Sequence, residues 1–239
     1  MLGDDEVGRV LVITAHPDDV DFGAAGTVAR WTRAGIEVSY CLVTSGDAGG
    51  TDLAVSGEQL ARLRETEQRA AAKCVGVTDV RFLGYHDGVL EPSIGLRRDL
   101  ARVIRQVRPD RVLCQSPERL YGRVQASHPD HRAAGTAALD AVYPDARNPL
   151  AFRELLADEG LEPWKVREVW LMASPQADHF MDVTDTFDRK LAALRAHESQ
   201  IGDRADLEGF LREMMSRMAV TGGLPEGRLA EAFQVLATA

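Results

Sequence analysis

The sequence predicts an α/β protein with a mostly parallel sheet and helices on both faces, a Rossmann-like three-layer fold. Three observations carry this. Short apolar runs rich in Val, Ile and Leu alternate with longer amphipathic stretches over most of the chain. The runs lack polar–apolar alternation, as strands buried on both faces do. The long polar loops follow the second, third and fourth runs, which gathers them at one sheet edge, where such folds bind ligands.

Taken in order, Arg9–Ala15 is the first strand, and Asp21–Ala34 a helix stopped by Gly35. Glu37–Thr44 is the second strand, Ser45–Gly57 a loop, and Glu58–Val75 a helix. Val80–Leu83, Gly84–Pro92 and Ser93–Val107 repeat the strand–loop–helix pattern, with Pro109 beyond the helix end. Arg111–Gln115 is the fourth strand, Ser116–Ser127 a loop and Asp130–Val142 a helix. Tyr143–Trp164 carries no clear signal. Val166–Ala173 and Phe180–Val183 predict two further strands, Thr184–His197 and Leu207–Met218 two helices, and Leu229–Ala237 a short final helix.

The 239 residues are expected to form one domain, 1–239, and 45% of them are hydrophobic, enough for a substantial core. A net charge of −9 argues against nucleic acid and against anionic membrane surfaces as partners. No apolar run reaches the ~18 residues of a membrane span, and no signal peptide is apparent. Cys41, Cys74 and Cys114 form no C-x-x-C pair, and buried free thiols in a reducing, cytoplasmic setting are expected. A homo-oligomer is left open.

Two short motifs carry the chemistry. After the first strand comes Ala15-His16-Pro17-Asp18-Asp19-Val20-Asp21. A pyrophosphate loop needs glycines there, but Gly23 and Gly26 come too late and three carboxylates would attract a cation instead. His16 and Asp19 on a tight turn suit zinc, and Asp18 between them is free to act as a base. The simpler account of the acidic residues is helix capping. After the fourth strand comes Ser127-His128-Pro129-Asp130-His131, a second proline-stiffened turn.

The two turns closely resemble the A-H-P-D-D and H-P-D-H motifs of the LmbE-like family, whose members include N-acetylglucosaminylphosphatidylinositol deacetylases and the deacetylases of mycothiol and bacillithiol synthesis. Arg64 and Glu67 match an R-x-x-E helix, and Asp87 follows Phe82-Leu83-Gly84. Lys190 with His197–Gln200 matches K…H-x-S-Q, and Ala230–Phe233 matches A-E-A-F. The resemblance implies zinc, or ferrous iron in a reduced cytosol, held by His16, Asp19 and His131, with a water completing the site. It implies Asp18 as general base and His128 as the group that stabilises the oxyanion or protonates the leaving amine. Asp130 would orient His128, while Arg64 and Asp87 would bind substrate. Val20 stands where the family often has Glu, and Ala126 where some members have an aromatic, so the roles of Asp21 and Tyr121 are open.

The implied activity is hydrolysis of an N-acyl, typically N-acetyl, amide of a small amino sugar or its conjugate. A thiol conjugate is a second substrate class. A phosphoesterase would want more carboxylates or two metals. A dinucleotide binder would want the missing glycine fingerprint, and a zinc protein without turnover has no need of Asp18 or His128. His86 and His179 line the site or are structural on equal footing. His197 is expected to act as a helix-end cation, and Met214, Met215 and Met218 as core.

Overall fold

The apolar runs pair into a seven-stranded sheet of order β3-β2-β1-β4-β5-β7-β6. The strands are β1 (Arg9–Thr14), β2 (Glu37–Thr44), β3 (Asp79–Tyr85), β4 (Arg111–Gln115), β5 (Glu168–Met172), β6 (His179–Asp182) and β7 (Ala230–Ala237). This computed structural model describes residues 1–202 and 206–238. The first five strands are parallel, with Val10 opposite both Val38 of β2 and Arg111 of β4. Strand β7 runs antiparallel between β5 and β6.

The helices are α1 (Asp19–Gly23), α2 (Ala25–Arg33), α3 (Gly57–Cys74), α4 (Ile94–Val107), α5 (Pro129–Asp140), α6 (Arg153–Ala157), α7 (Phe187–Arg195), α8 (Glu198–Ile201) and α9 (Leu207–Thr221). They cover both faces. Residues of α2, α3, α7 and α9 pack into one apolar cluster with Val10, Val12 and Tyr40 of the sheet. Residues of α4 and α5 pack into another with Leu11, Ile13 and Cys41, the alternate side chains of the same strands. Local signals set the helix starts: Ser56 caps α3 through the Gln59 N–H and Ser93 caps α4 through the Leu96 N–H. Cys41 and Cys114 are buried free thiols, pushed up to about 12 by that burial, and Cys74 is half-buried.

Two expectations need correction. The helix expected over Asp21–Ala34 starts earlier, at Asp19, and breaks at Ala24. The break creates a second helix start, whose Gly26 and Thr27 N–H groups donate to the Glu231 carboxylate at 3.0 and 2.7 Å. The tail, expected as a helix, is strand β7. It hydrogen-bonds to β5 on one side and β6 on the other, so sheet pairing at long range overrides local preference. The uninformative stretch 143–164 holds the end of a π-helical turn, Ala141–Asp145, and the short α6.

The strand order reverses between β1 and β4. The crevice beyond the carboxyl ends of these strands is the expected ligand position in an open α/β sheet, and both histidine motifs open onto it. Among the described residues no helix is long and apolar enough to cross a membrane.

Candidate metal and catalytic centre

The turn after β1 is held from both sides. Ala15 donates its N–H to the Gln115 side chain on β4 at 2.9 Å, and its carbonyl accepts from the Thr44 N–H on β2 at 2.8 Å. Asp18 then takes a left-handed conformation, φ 83°, which costs on the order of 1–3 kcal/mol for a non-glycine residue and persists only where neighbours over-determine it. Two residues of α3 do so. The Arg64 guanidinium donates to the Pro17 carbonyl at 2.9 Å and lies 3.3 Å from the Asp18 carboxylate, while Gln68 accepts the Asp18 N–H at 2.8 Å.

The two motifs meet. Asp19 lies between two imidazoles, with Oδ2 3.4 Å from His16 Nδ1 and Oδ1 2.9 Å from His131 Nε2. Each ring turns its other nitrogen to an outer acceptor. His16 Nε2 faces Asp87 at 2.9 Å and Asp130 at 3.2 Å, and His131 Nδ1 faces the Ala126 carbonyl at 3.2 Å. This is how metal-ligating histidines are oriented, one nitrogen inward and the other fixed by an outer partner. Each Asp19–imidazole contact is near the ~3.3 Å that separates donor atoms around a tetrahedral zinc, and the two use different oxygens of Asp19. Two sets of three donors lie within 4.8 Å of one another, a nitrogen from each of His16, His128 and His131, and His16 with Asp87 and Asp130.

The charges agree with a cation site. Burial works against a charged His16, yet Asp19, Asp130 and Asp87 outweigh it and push its pKa up to about 12. Burial likewise opposes a charged His131, and Asp19 again wins, raising it. Asp19, despite a burial that favours the neutral acid, is held well below the carboxylate range by His131 and His16. A pocket that binds protons this tightly offers the same field to a metal ion. Asp18 differs from its neighbour: burial and then the Asp19 charge push it up to about 7, against the pull of Arg64. That is the range suited to a general base at neutral pH.

His128 caps α5, its Nδ1 accepting the Asp130 N–H at 3.3 Å. This bond assigns the proton of the neutral ring to Nε2. Its pKa is lowered by burial and then by His16 and His131. The expected partnership between Asp130 and His128 takes another form. The Asp130 carboxylate lies on His16 and accepts the Gly88 N–H at 2.7 Å; only its main chain touches His128.

Arg64 and Asp87 both line the central cavity, of about 750 Å³, together with His16, Asp18, Asp19 and His131. Arg64 is buried, with its end groups engaged by Gly46, Pro17 and Asp18, so it holds the turn in place. Asp87 is spent on His16. His86 is exposed beside Asp47, and His179 packs edge-on against Trp170, so neither belongs to the site. Tyr121 is exposed and lies outside the cavity wall.

Asp21 and His197 also find their place. His197 is fully buried with Nε2 2.8 Å from Asp21, which corrects the helix-end reading. Met214 and Met218, expected in the core with Met215, line the cavity alongside it. Gln68 was missed altogether; a polar residue one turn beyond Arg64 on the same helix face was the available signal. Glu67 binds Ser199 through its N–H at 2.7 Å and its hydroxyl at 2.6 Å, and Lys190 meets Glu231 at 2.7 Å. The motifs that flank the two turns therefore form pairs that brace the α1 turn from behind.

A mostly parallel sheet thus brings His16, Asp18, Asp19 and His131, donors suited to a divalent cation, together at its switch point. The PIG-L model, GlcNAc-PI de-N-acetylase, matches residues 11–142, and this chain belongs to that family. It is 36% identical to the diacetylchitobiose deacetylase of Thermococcus kodakarensis over 82% of this chain and 71% of that protein. It is 33% identical to a Bacillus cereus protein named "Probable N-acetyl-alpha-D-glucosaminyl L-malate deacetylase 2", over 80% of this chain and 83% of the relative. The solved N,N'-diacetylchitobiose deacetylase of Pyrococcus horikoshii superposes with a TM-score of 0.89 at 33% identity, covering 98% of this chain and 85% of that one.

Proposed function

We propose that this protein is a metal-dependent N-deacetylase that hydrolyses the acetamide of a small N-acetylated amino sugar, with zinc as the metal and ferrous iron as the alternative. The observation that carries the reading is Asp18, a carboxylate raised to about 7, one residue from Asp19, which lies between His16 and His131. Family membership and the names of the relatives support the reaction and the substrate class.

His16, Asp19 and His131 would hold a divalent cation, which would supply Lewis acidity toward the amide oxygen and toward a water beside it. Asp18 takes a proton from the attacking water. Its raised pKa lets it hold that proton and then pass it to the departing amine nitrogen. His128, neutral and protonated on Nε2, donates to the oxygen on which negative charge develops. Asp130 and Asp87 fix the ring of His16, and Arg64 with Gln68 fixes the turn that carries the base.

The test is amine release from N-acetylglucosamine and N,N'-diacetylchitobiose by zinc-loaded, chelated and Asp18→Asn protein. Zinc-dependent release that falls at least a hundredfold in Asp18→Asn supports the reading. Undiminished activity in the variant removes Asp18 as the base, and no release from any N-acetylated amino sugar removes the function.

A further inference from the structure

The cavity has two unlike ends. Arg64, Asp87 and Gly49 lie at the β2–β3 side, and the His16–His131 group in the middle. Toward β5 and β7 the wall changes character. There it includes Met172 at the end of β5, Met214, Met215 and Met218 on α9, Phe22 on α1, and Ala230 and Ala232 on β7. Strand β7 reaches past β5, since Met172 pairs with Phe233 and Ala230–Ala232 lie beyond it.

The polar side chains set within this wall, Glu231 and Ser174, are already engaged, while Arg123 and Gln125 line the cavity from the loop after β4. Glu231 accepts from Lys190 Nζ at 2.7 Å and from the Gly26 and Thr27 N–H groups. Ser174 donates to Gln234 at 2.7 Å and accepts the Gln176 N–H at 3.0 Å. A sugar hydroxyl placed there would lose water and gain no partner, whereas an apolar group loses nothing. Methionines, with their flexible polarizable side chains, form a wall that adapts to varied apolar shapes. Size points the same way. At the ~30 Å³ that a water occupies in the liquid, the ~15 heavy atoms of an N-acetylhexosamine fill about 450 Å³. The cavity of about 750 Å³ has room left over.

Resting on the deacetylase reading, we infer that the β5–β7–α9 end is a subsite for an alkyl or aryl group carried by the amino-sugar substrate. The group reaches it as an acyl chain longer than acetyl or as an apolar aglycone.

Two substrate series separate these sources: N-acylglucosamines from acetyl to octanoyl, and N-acetylglucosaminides with methyl to octyl aglycones. With the zinc-loaded enzyme, kcat/KM in one series is expected to rise by up to about fourfold per added methylene until the subsite fills. That series identifies the source. Met214→Gln and Met218→Gln flatten the rise by adding polarity, and Ala232→Leu shortens it by filling space. Binding is read separately by calorimetry with methyl and octyl glucosaminides, the free amines. The octyl compound is expected to bind at least tenfold more tightly, with the advantage lost in Met218→Gln. Should no N-acyl substrate turn over, the deacetylase reading falls, and the binding ratio still decides the subsite. Chain-length-independent turnover in both series overturns the subsite while leaving the deacetylase reading intact; equal binding of the two amines overturns it where nothing turns over, and beside a rise in the N-acyl series assigns it to the acyl chain.

Discussion

Gln68 holds Asp18 by its main chain: the side-chain oxygen accepts the Asp18 N–H at 2.8 Å. The same amide donates to Asp21 at 2.9 Å, and Asp21 meets His197 at 2.8 Å. A buried chain of polar contacts thus runs from the αL residue beside the metal group to the end of α7. Gln68→Leu breaks it at its centre. The expected result is a kcat reduced about 10–100-fold by misplacement of the base, with metal affinity little changed. Stability falls by about 1–3 kcal/mol per buried group left unsatisfied. A variant with normal kcat would show that the Asp18 turn holds its shape unaided.

With Asp18 as the proposed base, its ionisation sets the acid limb of activity. Unfolded, it ionises near 3.8; folded, it keeps its proton up to about 7. Between those values the folded state binds more protons, so on this account stability declines as pH rises through the window. Activity moves the other way, because the base must be ionised, and a cation beside Asp19 draws the limb to or below 7. Arg64 lowers the Asp18 pKa, so Arg64→Met moves the limb to higher pH. Profiles of kcat/KM against pH for wild type and variant test this, and a limb that stays put or moves down contradicts it.

Asp130 acts through His16. Its carboxylate is 3.2 Å from His16 Nε2, and Gly88 and Leu90 fix it through main-chain N–H groups. Asp130→Asn keeps the shape and removes the charge. Metal affinity is expected to fall about 10–100-fold, as when other outer partners of metal-bound histidines are changed. Competition against a chelator of known affinity measures it. Unaltered affinity with a large loss of kcat would return Asp130 to a role at His128.

The parallel half of the sheet was legible because each strand–helix unit is local and its punctuation is strong. Gly35, Gly76 and the serines Ser56 and Ser93 stand at the helix boundaries. The two histidine turns were legible because residue type, spacing and position at a sheet edge agree. What stayed hidden depends on long-range pairing. Leu229–Ala237 reads as a helix, and Ala230–Ala237 becomes a strand because β5 and β6 offer hydrogen bonds on both sides. The break at Ala24 depends on Glu231, 205 residues from Gly26 in the chain. Asp130 sits beside His128 in sequence, and the fold gives its carboxylate to His16. The methionines of α9 have the spacing of a core face, and only the path of β7 reveals that all three also border a cavity.

The buried pair Lys190–Glu231 ties that cavity to the start of α2. Both side chains are almost wholly withdrawn from water and 2.7 Å apart. Lys190 also donates to the carbonyls of Asp21 and Phe22, and Glu231 accepts from Gly26 and Thr27. Lys190→Met leaves the Glu231 carboxylate buried without its cation, and breaking such a pair costs about 3–5 kcal/mol. Adding Glu231→Gln removes the stranded charge while keeping one acceptor for the α2 N–H groups. The double variant is therefore expected to be more stable than Lys190→Met alone. Urea unfolding of wild type, both single variants and the double variant measures the coupling. Additive losses would mean that the two charges stabilise the fold independently, through their main-chain partners rather than through each other.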